Sequence, residues 1–211
     1  MAQHGYPSDE EVLAYYPRLS EILMTSDEVR ARVWELANEI LERNPNTTVN
    51  NPLLVVCVLK GAFPFFAMLT EAFGRLGLSH IVDFIDVGSY GKERKSSNSV
   101  RVYKDMQKDV MERDVLLVED LIDTGLTLSF VQDLILNRRP QSLQTCVLLD
   151  KPESRQHEAK VDYVGRAIDG HFVVGVGLDD VHRNRGLPFI AVMHDEEYIR
   201  ENKLLYPEEE A

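Results

Sequence analysis

The chain has 211 residues, enough for one well-buried core, and its acidic residues exceed its basic ones by 35 to 23, for a net charge of −12. With no long basic run, that balance disfavours general nucleic-acid or acidic-membrane binding. The amino terminus lacks the basic and apolar regions of a signal peptide and no apolar run is long enough to span a membrane, so one cytoplasmic domain over residues 1–211 is expected, with no nucleic-acid or membrane partner.

Residues 1–20, of mixed polarity with two prolines, read as an irregular arm. Thr25 to Glu28 has the form of a capping box, and Val29, Val33, Leu36, Ala37, Ile40 and Leu41 follow at helical spacing as far as Asn44-Pro45. Leu53 to Leu59 is apolar on both faces, as a central parallel strand requires, and stops at Lys60-Gly61. A helix opened by Pro64 follows, then a strand from His80 to Val87 ending in Gly88-Ser89-Tyr90-Gly91. Lys92 to Ser99 has hardly an apolar residue and reads as a mobile loop (88–100 with its flanks), with Val100 to Tyr103 returning as a hairpin strand.

The central stretch is Val115 to Val118, then Glu119-Asp120, then the small-residue turn Asp123-Thr124-Gly125 with Thr127, then a helix to about Asn137. A helix start offers free amides and a positive dipole end, while Gly and Thr let the backbone close around an anion. Carboxylates at the strand end suit ribose hydroxyls or Mg²⁺. A sugar phosphate satisfies both halves, and the Gly and Lys pattern of a P-loop is missing. Leu143 to Leu149 is another buried strand, ending in Asp150-Lys151-Pro152, so three strand ends carry useful polar residues on one side of a parallel sheet. Val161 to Val164, Phe172 to Gly177 and Phe189 to Met193 complete the strands, and Asp195 to Glu201 reads as a terminal helix. Cys57 and Cys146 lie inside apolar runs and read as core thiols, and no His spacing with them suggests zinc.

Together Leu59-Lys60-Gly61, Ser89-Tyr90-Gly91, the Glu119 to Thr127 motif, Lys151, Phe172-Val173 and Leu178-Asp179 to Arg185 resemble the hypoxanthine-guanine phosphoribosyltransferases, across roughly residues 22 to 194. The resemblance implies the type I fold: an open, mainly parallel twisted sheet with helices on both faces, and a small hood from the terminal segments, about 152–211, that binds the base. It implies Mg²⁺-dependent transfer of phosphoribose from phosphoribosyl pyrophosphate to N9 of a 6-oxopurine, by a homodimer or homotetramer. It further implies that Asp123, Thr124, Gly125, Leu126 and Thr127 hold the 5′-phosphate, and that Glu119 and Asp120 hold the ribose hydroxyls. Lys60, Gly61, Ser89, Tyr90 and Arg185 would meet pyrophosphate, with the Leu59–Lys60 bond cis. Lys151, Phe172, Val173 and Asp179 would meet the purine, and Glu119, Asp120 and Asp179 the metal. Asp123 is implied as the group that moves a proton at purine N7. Leu126 stands where many members have lysine, and Asp180 to Asn184 replaces a usually aromatic stretch, leaving Arg183 as the substitute for Arg185 and xanthine as an additional base. A nucleotide-sensing paralogue is the competing reading; it would keep Glu119 to Thr127 and could dispense with Asp123 and Lys60.

Overall fold

In the computed structural model, which describes residues 6–89 and 100–205, the arm is less irregular than its composition suggests. It contains a helix, α1 (Asp9–Leu13), and a strand, β1 (Leu19–Met24). A capping box starts α1, with Ser8 Oγ accepting the Glu11 amide at 3.2 Å and Glu11 Oε2 accepting the Ser8 amide at 2.7 Å. A single turn is too short to show a hydrophobic period, which is why it is not visible in the sequence. The expected box at α2 (Ser26–Arg43) does form: Glu28 Oε2 accepts the Thr25 amide at 2.8 Å and Thr25 Oγ1 accepts the Glu28 amide at 3.3 Å.

The buried run becomes β2 (Leu53–Leu59), followed by α3 (Phe63–Leu76), which Gly77 ends in the left-handed conformation at φ 75°. β3 (His80–Ser89) and β4 (Val100–Lys104) pair antiparallel, as a hairpin requires. Then come β5 (Asp114–Ile122), α4 (Leu126–Leu136), β6 (Ser142–Asp150), a tight helical turn at Pro152–Ser154, and β7 (Tyr163–Ala167). The strand expected from Phe172 to Gly177 is shorter: β8 is only Val173–Val174, because Gly175, Val176 and Gly177 all take positive φ and turn the chain. β9 (Ile190–Met193) and α5 (Glu196–Glu201) end the described chain.

The main sheet has the order β4-β3-β2-β5-β6-β7, and β3, β2, β5, β6 and β7 run parallel. Alternate residues Leu54, Val56, Val58, Val115, Leu117 and Val147 are buried on one face under Leu128, Val131 and Ile135 of α4. The intervening set, Val55, Cys57, Leu116, Val118, Cys146 and Leu148, is equally buried, with α3 lying on β2 and β5. α2 runs beside β6 and β7, where Asn44 Nδ2 donates to Gln144 Oε1 at 3.0 Å and Arg32 Nε donates to the Gly165 carbonyl at 2.9 Å. Both cysteines are free and buried, and burial pushes their thiols up, so they are packing groups.

The chain leaves β2 for β3 on one side and later enters β5 on the other, so the strand order switches between β2 and β5. The crevice beyond the carboxyl ends of such strands is where open α/β sheets bind ligands.

By internal contact the chain forms two compact units, Arg30–Gly170 and the combination of Met1–Val29 with His171–Ala211. The smaller unit holds the three-stranded sheet β1-β9-β8. Its core gathers Leu19, Val174, Leu187, Phe189, Ala191, Met193 and Ile199, with Val12, Leu13 and Tyr16 of the arm packed against them. Among the described residues no helix is long and apolar enough to cross a membrane.

Candidate active site

In the larger unit the ends of β2, β5 and β6 are neighbours, and each brings one of the residues singled out above. The Leu59–Lys60 peptide bond is cis, in keeping with the resemblance, and Lys60 is exposed. Gly61 sits directly against the Asp120 carboxylate: a Cβ there would fall 1.9 Å from Asp120 Oδ2. Only glycine lets the β2 loop approach the β5 end so closely. From the other side the Lys151 amide donates to the Ile122 carbonyl at 2.9 Å, and Lys151 is itself buried.

Glu119 and Asp120 are both buried. Burial, first, and the neighbouring Asp120 charge, second, push the Glu119 carboxyl well above the ordinary carboxylate range. Its Oε2 is enclosed and has no hydrogen-bond partner, a costly position for a carboxylate with nothing to hold. Among the described residues no three His, Cys, Asp or Glu side chains gather into a metal site. A hard cation here would draw two carboxylates from the protein and its remaining oxygens from a ligand, the usual arrangement for Mg²⁺ with phosphates.

Beyond β5, Gly125 takes φ 86° and α4 begins at Leu126. The turn encloses a hollow of about 150 Å³ lined by Glu119, Leu121, Ile122, Asp123, Thr124, Gly125, Thr127 and Leu128. The first amides of α4 have no intrahelical acceptors, so the hollow is floored by donors at a positive helix end. Thr124 Oγ1 accepts the Leu126 amide at 3.4 Å, and Asp123 is exposed at the mouth. Leu126 adds no charge.

Sequence reasoning missed what lies behind this turn. The amides of Gln156 and His157 both donate to the Thr124 carbonyl at 2.9 Å. A Cβ on Gly125 would fall 2.5 Å from the His157 carbonyl oxygen and 2.9 Å from Arg155 Cδ. Arg155 is salt-bridged to Asp150 at the end of β6. The one signal in the sequence was a cation four residues after Lys151, too common a pattern to single out.

In the smaller unit Phe172 is exposed and Val173 is buried. Asp179 and Arg185 are brought together, with Asp179 Oδ1 and Arg185 Nη2 2.8 Å apart. Arg185 Nη1 also donates to the Gly177 carbonyl at 2.6 Å, and Asp179 Oδ2 accepts the His182 amide at 2.8 Å. Arg183 instead lines a separate hollow with Tyr15, Tyr16 and Leu204. Between Asp179 and Arg185 the chain makes a tight hairpin: Asp180 and Arg183 exchange backbone hydrogen bonds at 3.2 and 2.8 Å across Val181 and His182, at φ 46° and 65°. Two positive φ values suit a mirror-image turn, but a β-branched residue there costs about 1–2 kcal/mol. Ser89 ends β3, while Tyr90 and the loop Lys92 to Ser99 lie outside the described residues.

A family model described as a phosphoribosyl transferase domain matches residues 25–181. The hypoxanthine-guanine phosphoribosyltransferase of Aquifex aeolicus is 40% identical over 175 residues, covering 83% of this chain and 95% of that one. The hypoxanthine phosphoribosyltransferase of Escherichia coli K12 is 39% identical over 170 residues, covering 81% and 93%. Among solved structures, the Trypanosoma cruzi hypoxanthine phosphoribosyltransferase in complex with its product IMP superposes with a TM-score of 0.80 at 38% identity, covering 86% of this chain and 97% of that one.

Proposed function

Because this chain belongs to the phosphoribosyl transferase family, in its hypoxanthine-guanine branch, we propose that it salvages purines by moving phosphoribose from phosphoribosyl pyrophosphate to N9 of hypoxanthine or guanine. The products are IMP or GMP and pyrophosphate. The observation that carries this reading is the β5 end: a buried carboxylate with an unpartnered oxygen, joined to a glycine-started helix whose hollow fits an anion.

The 5′-phosphate sits on the amides from Asp123 to Thr127, with the Thr124 and Thr127 hydroxyls as further donors, and Leu126 contributes its amide alone. Glu119 and Asp120 accept the ribose hydroxyls, and they fit Mg²⁺, with Asp179 the carboxylate for a second ion. When bound, Mg²⁺ neutralises charge on the pyrophosphate leaving group. Lys60, Gly61, Ser89, Tyr90 and Arg185 hold that pyrophosphate. The Asp179 pairing at 2.8 Å supports Arg185 over Arg183 for this role, since it pre-orients the guanidinium.

Lys151 donates to the purine 6-oxo group, Phe172 stacks on the ring, and Val173 and Asp179 meet its edge. In the reaction N9 forms its bond to C1′ as the C1′–oxygen bond breaks, and the electron pair leaves with pyrophosphate. Asp123 accepts the N7 proton while its charge favours the positive character growing at C1′. The enzyme works in the cytoplasm as a homodimer or homotetramer, and sedimentation at micromolar concentration checks the assembly.

The test is pyrophosphate release from phosphoribosyl pyrophosphate and Mg²⁺ with hypoxanthine, guanine, xanthine and adenine in separate reactions. Release with oxopurines and not with adenine is expected. Silence with all four, alongside tight binding of a purine 5′-monophosphate, overturns the enzyme in favour of a nucleotide sensor.

A further inference from the structure

The arm that precedes the family match is tied by an ion pair to the hairpin Asp179 to Arg185. Arg18 stands between α1 and β1. Its Nη2 is 2.9 Å from Asp180 Oδ2, with the two side chains only 11% and 10% exposed. Its Nη1 donates to the Leu204 carbonyl at 3.0 Å, and its own carbonyl accepts the His194 amide at 2.9 Å. One side chain thus joins the amino-terminal arm, the carboxyl-terminal segment after α5, and the hairpin Asp179 to Arg185.

That hairpin needs an external hold. Its turn residues Val181 and His182 are both at positive φ, a conformation a valine leaves readily unless its neighbours fix it. On one flank Asp179 is fixed by Arg185 and by the His182 amide. On the other, the buried Asp180 carboxylate meets Arg18 as a charge pair, its Oδ2 lying 2.9 Å from Arg18 Nη2 without completing a hydrogen bond. Arg18 is in turn a firm anchor, because α1 is capped by Ser8 and Glu11, and Asp9 Oδ2 accepts the Ser26 amide at 2.6 Å.

We propose that Arg18 is a positioning residue for substrate recognition, holding Asp180 so that the adjoining Asp179 and Arg185 are set for purine and pyrophosphate. This rests on the reading of Asp179 and Arg185 given above. It gives the arm a function: an ion pair from outside the hairpin supports it. Removing Arg18 leaves the Asp180 carboxylate buried without that cation, and the hairpin must open toward water to solvate it.

The experiment compares the full-length wild type with Arg18→Ala, Arg18→Lys, Asp180→Asn and the Arg18→Ala/Asp180→Asn double variant. Pyrophosphate binding is measured by calorimetry, purine KM by steady-state kinetics, and ribose 5-phosphate binding as the control. A misplaced recognition group weakens binding and turnover steeply, so Arg18→Ala should raise purine KM and the pyrophosphate Kd about 10- to 100-fold. Ribose 5-phosphate should bind as in the wild type. Lysine should recover part of the loss, and the double variant should be no worse than Arg18→Ala, since the pair acts as a unit.

Arg18 also lines a hollow of about 380 Å³, which gives a small cation a path to its place. Millimolar guanidinium should therefore restore part of the purine affinity to Arg18→Ala and none to Asp180→Asn. Unchanged purine KM and pyrophosphate Kd in Arg18→Ala overturn the proposal. So does an equal loss of ribose 5-phosphate binding that neither lysine nor guanidinium repairs, which would make Arg18 a folding residue. A wild type that binds pyrophosphate but transfers to no oxopurine refutes the enzyme reading instead, and the pyrophosphate measurements then still decide the role of Arg18.

Discussion

Glu119 is held where the ligand-free protein gains nothing from it. Its carboxyl is enclosed beside Asp120 and one oxygen lacks a partner, so burial and the neighbouring charge raise its pKa in the folded state. An unfolded glutamate titrates near about 4.3. Below that value both states are protonated and no penalty exists. As pH rises above it, the unfolded chain ionises first and stability falls, until the folded group also loses its proton. Glu119→Gln should therefore raise the melting temperature by roughly 2–4 °C or more at pH 7–8, with the gain vanishing near pH 4. The same variant should lose phosphoribosyl pyrophosphate affinity, and a melting temperature that does not rise at pH 8 contradicts the assignment of strain to this carboxyl. Asp123 is exposed at the mouth; Asp123→Asn should lower kcat about 100-fold or more with nucleotide affinity kept, and unchanged turnover rules out proton transfer by it. Both acids were legible in the sequence, because they follow one strand within a few positions. Arg155 was not, since its place against Gly125 arises only when the chain folds back onto Thr124.

The two turns to which the proposal assigns recognition depend on different devices. The turn proposed for the phosphate depends on the absence of a side chain: Gly125 is left-handed and a methyl group would strike the His157 carbonyl at 2.5 Å. Gly125→Ala should destabilise the protein by about 1–3 kcal/mol and weaken ribose 5-phosphate binding with it. Wild-type affinity in that variant would show that the turn can relax without losing its amides. The hairpin at Val181 has the opposite character, a side chain where none is wanted. Val181→Asn should stabilise by about 1 kcal/mol, since Asn tolerates the left-handed region, and a calorimetric scan reads it. Here the sequence was informative in proportion to length of pattern. Leu53–Leu59 was placed to the residue because a seven-residue run apolar on both faces, closed by Lys60-Gly61, suits a covered strand. Phe172 to Gly177 looked equally apolar, yet folds as a two-residue strand and a turn. Hydrophobicity reported its burial there, and the two glycines that break the strand were the only local sign of its conformation.

At the scale of the whole molecule, the proposed function asks a protein of net charge −12 to bind a substrate carrying several phosphate charges. The net charge is legible in the sequence, but where a phosphate could be received is not, because that lies in how charge is distributed after folding. Glu119 and Asp120 are buried beside the hollow proposed for the phosphate, so in that proposal they would repel the ligand unless a cation came with it. Phosphoribosyl pyrophosphate with Mg²⁺ should bind the native state alone and stabilise it by RT ln(1 + [L]/Kd), about 2.7 kcal/mol at a hundredfold excess over Kd. For a chain of this size that corresponds to a rise in melting temperature of roughly 5–10 °C. The same ligand with a chelator should shift the transition little, and in Glu119→Gln, where one of the repelling charges is gone, the difference between the two conditions should shrink. An equal shift with and without Mg²⁺ in the wild type would mean that the two carboxylates take the ribose hydroxyls unaided.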